Sequence, residues 1–69
     1  MKVMSGRDFA RLIERHGWRL YRISGSHHIY GRAGSPMRLS IPIHANRPLK
    51  IGLLRHLANL ADIPTRELD

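Results

Sequence analysis

The sequence predicts a small α+β domain of order α-β-β-β-α, an antiparallel three-stranded sheet with both helices on one face. Three observations predict it. Apolar residues recur at helical spacing near both ends of the chain: Phe9, Leu12 and Ile13 in the first stretch, Leu49, Leu53, Leu57 and Leu60 in the second. The centre instead alternates, with Met37, Leu39, Ile41 and Ile43 pointing one way and Arg38 and Ser40 the other. Turn-forming runs at Ser24-Gly25 and from Gly31 to Pro36 cut that centre into three strands.

The first helix is expected to start near Gly6. Ser5 followed by Asp8 has the form of a capping box in which Asp replaces Glu or Gln. Phe9, Leu12, Ile13 and His16 share one side, Arg7, Arg11 and Arg15 recur on the other, and Gly17 is placed to end the helix in a left-handed conformation. Residues 18–23 suit a strand, and a second runs through His28, Ile29 and Tyr30. The third ends at Pro42, which has no N–H to give a ladder and so marks an edge or a bulge. A second helix is expected from about Pro48 to Ala61, with Asn46 a possible cap, Leu54, Ala58 and Ala61 beside its leucine row, and Pro64 closing it. One further short turn is expected at residues 65–68. With helices burying one sheet face, the other stays wet and basic. The arrangement is that of a double-stranded-RNA-binding-like domain, and a fold of this kind does not by itself assign a function.

At 69 residues the chain is expected to be one domain, residues 1–69, near the lower limit for an unstapled core. It has no cysteine, which excludes disulfides and thiolate zinc sites and fits a cytoplasmic location. Met1-Lys2-Val3-Met4 lacks the apolar run of a signal peptide, and no segment approaches the roughly 20 apolar residues that span a bilayer. The formal charge of +7 and pI near 11.4 make a polyanion, nucleic acid first, the expected partner.

The charge is also unevenly placed. Between Glu14 and Asp62 there is no Asp or Glu, while Arg15, Arg19, Arg22, Arg32, Arg38, Arg47, Lys50 and Arg55 all lie in that interval. Ser-His-Asp catalysis, paired-carboxylate hydrolysis and two-metal phosphoryl chemistry all need carboxylates that this region does not offer. An all-imidazole zinc site from His27, His28 and His44 is not selected by any spacing and is opposed by the surrounding charge, so no metal is expected. Metal-free cleavage of RNA by its own 2′-hydroxyl remains. That reaction needs a base, an acid and cations around the developing phosphorane, and histidine is the residue type suited to the base. Arg22 and Arg38 can stabilise charge if pairing brings them alongside. His16 and His56 read as structural residues on helices. His44, at a strand exit, either contacts RNA or caps its loop. His27 and His28 are adjacent and face opposite sides of a strand, so one of them at most belongs to a given site. Tyr30 is either a cross-strand packing residue or a base-stacking platform.

Gly17-Trp18 at the end of the first helix, Gly25-Ser26-His27-His28-Ile29-Tyr30, and the segment from Ile41-Pro42-Ile43-His44 through Asn46, Leu49-Lys50, Gly52 and Leu54 carry a family resemblance. In this order and at these spacings, from Ser5 to Ile63, the chain resembles HicA-type toxins, the mRNA-cleaving partners of HicB-type antitoxins. The resemblance implies a double-stranded-RNA-binding-like fold and metal-independent endoribonuclease activity without a cofactor. It also implies inhibition by a HicB-like antitoxin that covers the active site. The essential histidine of the family usually follows the Gly-Ser pair, which is His27 here, and in some members comes one residue later, at His28. Arg22, Ser26, His28, Tyr30, Arg38, His44 and Lys50 are the residues expected to bind RNA. His28, His44 and Tyr30 are the candidate general acids. Ile51 and Leu53 depart from the Lys and Thr that family members often place around Gly52. The rival readings are a non-catalytic RNA-binding module of the same fold and a basic protein that only binds an acidic chain.

Overall fold

The computed structural model describes residues 3–69, so that of the N-terminal stretch read for a leader, Met1 and Lys2 lie outside the described residues. Helix α1 spans Gly6–Glu14, strands β1, β2 and β3 span Arg19–Ser24, His27–Gly31 and Arg38–Pro42, helix α2 spans Ile51–Leu60, and a 3-10 turn spans Thr65–Leu68. The strands form one antiparallel sheet in the order β1-β2-β3, so both β1 and β3 are edges, as Pro42 requires of its strand. This is the α-β-β-β-α order the sequence predicts.

Each boundary has a local cause. Ser5 caps α1 by accepting the Asp8 amide at 3.0 Å on Oγ. Gly17 follows the helix with φ +91° and lets the chain reverse, which brings the Trp18 amide onto the Ile13 carbonyl at 3.1 Å. Gly25 and Ser26 make a two-residue hairpin loop between the paired residues Ser24 and His27. Its φ is positive at Gly25 (60°) and not at Ser26, the pattern of a type II′ turn.

Two expectations about α2 are corrected. It starts at Ile51, with Lys50 in the cap position and no side-chain cap hydrogen bond, so Asn46 caps nothing. Residues 44–47 instead form a turn closed by the Arg47 amide on the His44 carbonyl, and Ser5 bridges to Pro48. Leu53 is not in the core: the buried row of α2 is Leu54, Leu57 and Ala58, with Leu53 one position round the helix and 36% exposed.

The core lies between the helices and one sheet face. Phe9, Ile13, Trp18, Tyr30, Leu39, Ile41, Leu49, Leu54, Leu57, Ala61 and Leu68 are all buried in one cluster. Burying a large apolar side chain stabilises by about 1.5–3 kcal/mol, so the helical layer and the sheet are held by this cluster and not by ion pairs. Trp18, fully buried, donates its indole N–H to the Ala61 carbonyl at 3.3 Å, and the Arg32 guanidinium lies over its ring, 4.5 Å from the centroid. Arg32 also reaches Asp62 at 3.0 Å, which ties the β2–β3 loop to the end of α2. Among the described residues no helix is long and apolar enough to cross a membrane.

Candidate nucleic-acid interface

The pairing register decides which side chains share a face. Across β2, Tyr30 stands beside Leu39 and His28 beside Ile41; these residues face the helices. The next residues along face away: His27 beside Pro42, Ile29 beside Ser40, Gly31 beside Arg38. On the other side Ser24, Arg22 and Arg19 extend the same three rows. The open face therefore reads, row by row, Ser24–His27–Pro42, Arg22–Ile29–Ser40 and Arg19–Gly31–Arg38. It contains three arginines and a histidine and no carboxylate.

The acids are elsewhere. Glu14 accepts from Tyr30, Asp62 pairs with Arg32 and Glu67 with His16, all in the helical layer or its connections. His16 thus has the structural role expected of it, holding the C-terminal turn at 2.7 Å. His56 is exposed on α2 and lines a cavity of about 460 Å3 with Arg55, Asn59 and Thr65, away from the sheet.

His27 is exposed at the first position of β2, and its Nδ1 lies 2.9 Å from Ser40 Oγ, one row along on the neighbouring strand. That contact orients the ring and leaves Nε2 as the nitrogen without a hydrogen-bond partner among the described residues. His28 points through the sheet to the other side. It is half-buried in a cleft of about 470 Å3 against α1, with Arg7, Arg11, Glu14, Leu20 and Tyr30. The two histidines therefore belong to different sites, as adjacency in a strand requires.

Of the two roles open to Tyr30, the structure gives it the cross-strand packing one. It is 3% exposed and its hydroxyl donates to Glu14 Oε2 at 2.6 Å, so it offers neither a stacking face nor a proton to RNA. Burial first, then the hydrogen bond to Glu14 and its charge, push the phenol far above its ordinary range. The pattern His28-Ile29-Tyr30 could not show this, because both the core and a stacking platform accept a tyrosine.

The other expected residues divide by row. Arg22 is in the row next to His27, across Ile29. Arg38 shares the face but stands two rows off, roughly 13 Å along the strand at about 3.3 Å per residue. Arg22 and Arg38 are not paired with each other. Ser26 is in the hairpin turn, where its carbonyl accepts the Ile43 amide at 2.9 Å. His44 and Lys50 line one cleft of about 390 Å3 with Pro42 and Arg47. Since Pro42 is the cross-strand partner of His27, this basic cleft adjoins the histidine edge. Arg47 and Ser40 were not among the expected contacts: Arg47 is placed by the 44–47 turn, and Ser40 by a register that composition does not report.

Among the described residues no three His, Cys, Asp or Glu side chains gather into a set able to hold a metal ion. The arrangement can bind a chain of phosphates over an acid-free face and present one imidazole nitrogen to it. A family model described as the HicA toxin of bacterial toxin-antitoxin matches residues 6–63. No curated protein matches the chain.

Proposed function

The chain belongs to the HicA toxin family of bacterial toxin–antitoxin systems, and from that membership we propose that it is a metal-independent endoribonuclease that cuts mRNA, with His27 as general base. The observation that carries this reading is the exposed His27 imidazole on an acid-free arginine face, with Nδ1 held by Ser40 and Nε2 left without a partner among the described residues. For Nε2 to accept a proton, Nδ1–H donates to Ser40 Oγ. The base then removes the proton of a ribose 2′-hydroxyl, the 2′-oxygen bonds to the adjacent phosphorus, and the P–O5′ bond breaks. One product ends in a 2′,3′-cyclic phosphate and the other in a 5′-hydroxyl, whose oxygen takes up a proton. Arg22, Arg47 and Lys50 offset the charge that builds on the phosphorane, and His44, beside Pro42, is the one expected acid that adjoins the His27 edge. A HicB-like antitoxin inhibits by covering this face. Its acidic groups are complementary to a surface that lacks carboxylates of its own.

The deciding experiment is single-turnover cleavage of a labelled mRNA in EDTA by the wild type, His27→Ala and His28→Ala, with the product ends identified. General-base removal costs roughly 100- to 10,000-fold. A loss of that size in His27→Ala, with cyclic phosphate ends in the wild type, supports the reading. Loss only in His28→Ala moves the chemistry to the cleft beside α1. Binding of RNA without cleavage by the folded wild type leaves a non-catalytic RNA-binding module.

A further inference from the structure

We propose that Tyr21, stacked against Arg38, is a subsite for a nucleobase of single-stranded RNA on the open sheet face. The proposal rests on the ribonuclease reading for the position of the scissile phosphate, but the subsite is argued from its own geometry.

Tyr21 is the extra residue of a β-bulge. The register passes from Leu20↔Tyr30 directly to Arg22↔Ile29, so Tyr21 has no partner on β2. Bulges of this kind re-aim a side chain and bend the strand. The ring lies on the face that holds Arg38, whose guanidinium carbon is 4.6 Å from the ring centroid. Arg38 starts on β3 and must cross β2 to get there. It passes close over Gly31, where a Cβ would come within 2.9 Å of Nη1 and 3.1 Å of the guanidinium carbon and the arginine end would have to move aside. Its Nη1 is also fixed by donating to the Met37 carbonyl at 3.1 Å. Three features converge on this pair: a bulge on β1, a glycine on β2 and a pinned arginine on β3.

The ring is not consumed by packing. Tyr21 remains 64% exposed with Arg38 over it, so most of its surface is open to solvent. An aromatic ring backed by a guanidinium is a platform for any base, because every base has a π-face. The cations around it, Arg19 in the same row as Arg38 and Arg22 next to Tyr21, suit the phosphates on either side of a stacked base. A protein anchor would need apolar area. Beside the ring the apolar neighbours are Ile29, half-buried, and Leu20, exposed and lining one cleft with Tyr21 and Arg38; they are outnumbered by Arg19, Arg22 and Arg38, and Ile23 pairs with His28 toward the other side of the sheet. The row of Arg38 is roughly 13 Å from the row of His27, so the stacked base and the cleaved linkage belong to different nucleotides.

The test is affinity for a nine-residue 2′-O-methyl oligoadenylate, which cannot be cleaved by 2′-hydroxyl attack whichever residue is the base. Fluorescence anisotropy compares the wild type with Tyr21→Phe and Tyr21→Ala, each checked for folding by emission of the single, buried Trp18. Stacking contributes about 1–3 kcal/mol per base, so Kd is expected to rise roughly 5- to 150-fold in Tyr21→Ala and by less than about twofold in Tyr21→Phe. One abasic position in the oligonucleotide is expected to weaken the wild type while leaving Tyr21→Ala unchanged. Wild-type affinity in Tyr21→Ala overturns the subsite and leaves the ribonuclease reading standing. A loss only of binding to an acidic protein overturns it in favour of a partner contact. Failure of the wild type to bind the oligonucleotide overturns the subsite, while the ribonuclease reading stands or falls by the cleavage assay. Binding with the expected Tyr21 dependence but no cleavage of ordinary RNA upholds the subsite alone.

Discussion

The imidazole of His27 stands at the start of its strand, where it has few neighbours, and the Ser40 hydroxyl is the group that orients it. Ser40 does not touch the reacting atoms in this reading; it is a positioning residue. One neutral hydrogen bond contributes about 1 kcal/mol, so Ser40→Ala is expected to lower kcat roughly 5- to 10-fold with KM unchanged. Ser40→Thr, which keeps the hydroxyl, restores it. The nitrogen chemical shifts of His27, read by NMR, separate this role from a structural one: Ser40→Ala moves Nδ1 and Ser40→Thr does not. Tyr30 gives a pH prediction of opposite character. Its proton is held in the fold to higher pH than in the unfolded chain, where a tyrosine ionises near pH 10. The stability this contributes is complete below about pH 10 and is lost as pH rises above it, because the unfolded state then binds fewer protons than the native one. Denaturant titrations from pH 9 upward are expected to show a shallower alkaline decline in Tyr30→Phe than in the wild type. At neutral pH that variant loses the hydrogen bond to the Glu14 carboxylate, about 1.5–3 kcal/mol.

Among elements, the junction of α1, β3 and the connection to α2 carries the most constraint. The Leu49 amide donates to the Met4 carbonyl at 2.8 Å, Ser5 bridges to Pro48, and the first turn of α1 rests on the end of β3. A Cβ at Gly6 would fall inside contact distance of the Pro42 carbonyl oxygen, which is backbone and cannot swing away. Two effects of Gly6→Ala oppose each other. Alanine gains up to about 1 kcal/mol of helix propensity, less at a first helical position, while overpacking costs about 1–3 kcal/mol. The collision is with a fixed atom, so the cost is expected to win. A thermal melt should show Tm lower by roughly 5–15 °C, at about 4–8 °C per kcal/mol for a domain of this size. Because Pro42 is the partner of His27, the same variant is expected to lose activity below its new Tm, whereas an exposed change such as Asn59→Ala should alter neither.

For the whole molecule, the distribution of charge matters more than its total. Twelve basic residues and five acidic ones could be interspersed; instead Glu14, Asp62 and Glu67 are tied up in the helical layer, and the sheet face is left to arginines. Binding of single-stranded RNA to Arg19, Arg22, Arg47 and Lys50 would release counterions at about four phosphates. With a coefficient near 0.7 per phosphate, the slope of log K against log salt is expected to lie between about −2 and −3. Arg22→Gln and Arg47→Gln should each flatten it by a little under one. A slope unchanged in both variants would place the RNA elsewhere on the molecule.

Element order and much of the core were legible in the sequence by itself. Helical and alternating periodicities differ, and turn residues such as Gly25 and Gly17 mark where one gives way to the other. The acid-free interval was legible too, since charge needs no geometry to count. Whether His27 and His28 share a face was decided by strand alternation, a local rule, and the structure agrees. Tertiary structure alone decided which residues meet. Tyr30 went to the core because β2 pairs it with Leu39, and a bulge at Tyr21 turned Ile23 to the side of Leu20, a shift that no propensity encodes. Leu53 was displaced from the core because α2 docks with its buried stripe along Leu54, Leu57 and Ala58, and which of several apolar rows meets the sheet is decided by docking and not by spacing. Ser40 and Arg47 became neighbours of the histidine edge through pairing and a turn. Local chemistry writes the elements; the contacts that make a site come from segments distant in sequence, and only packing brings those segments together.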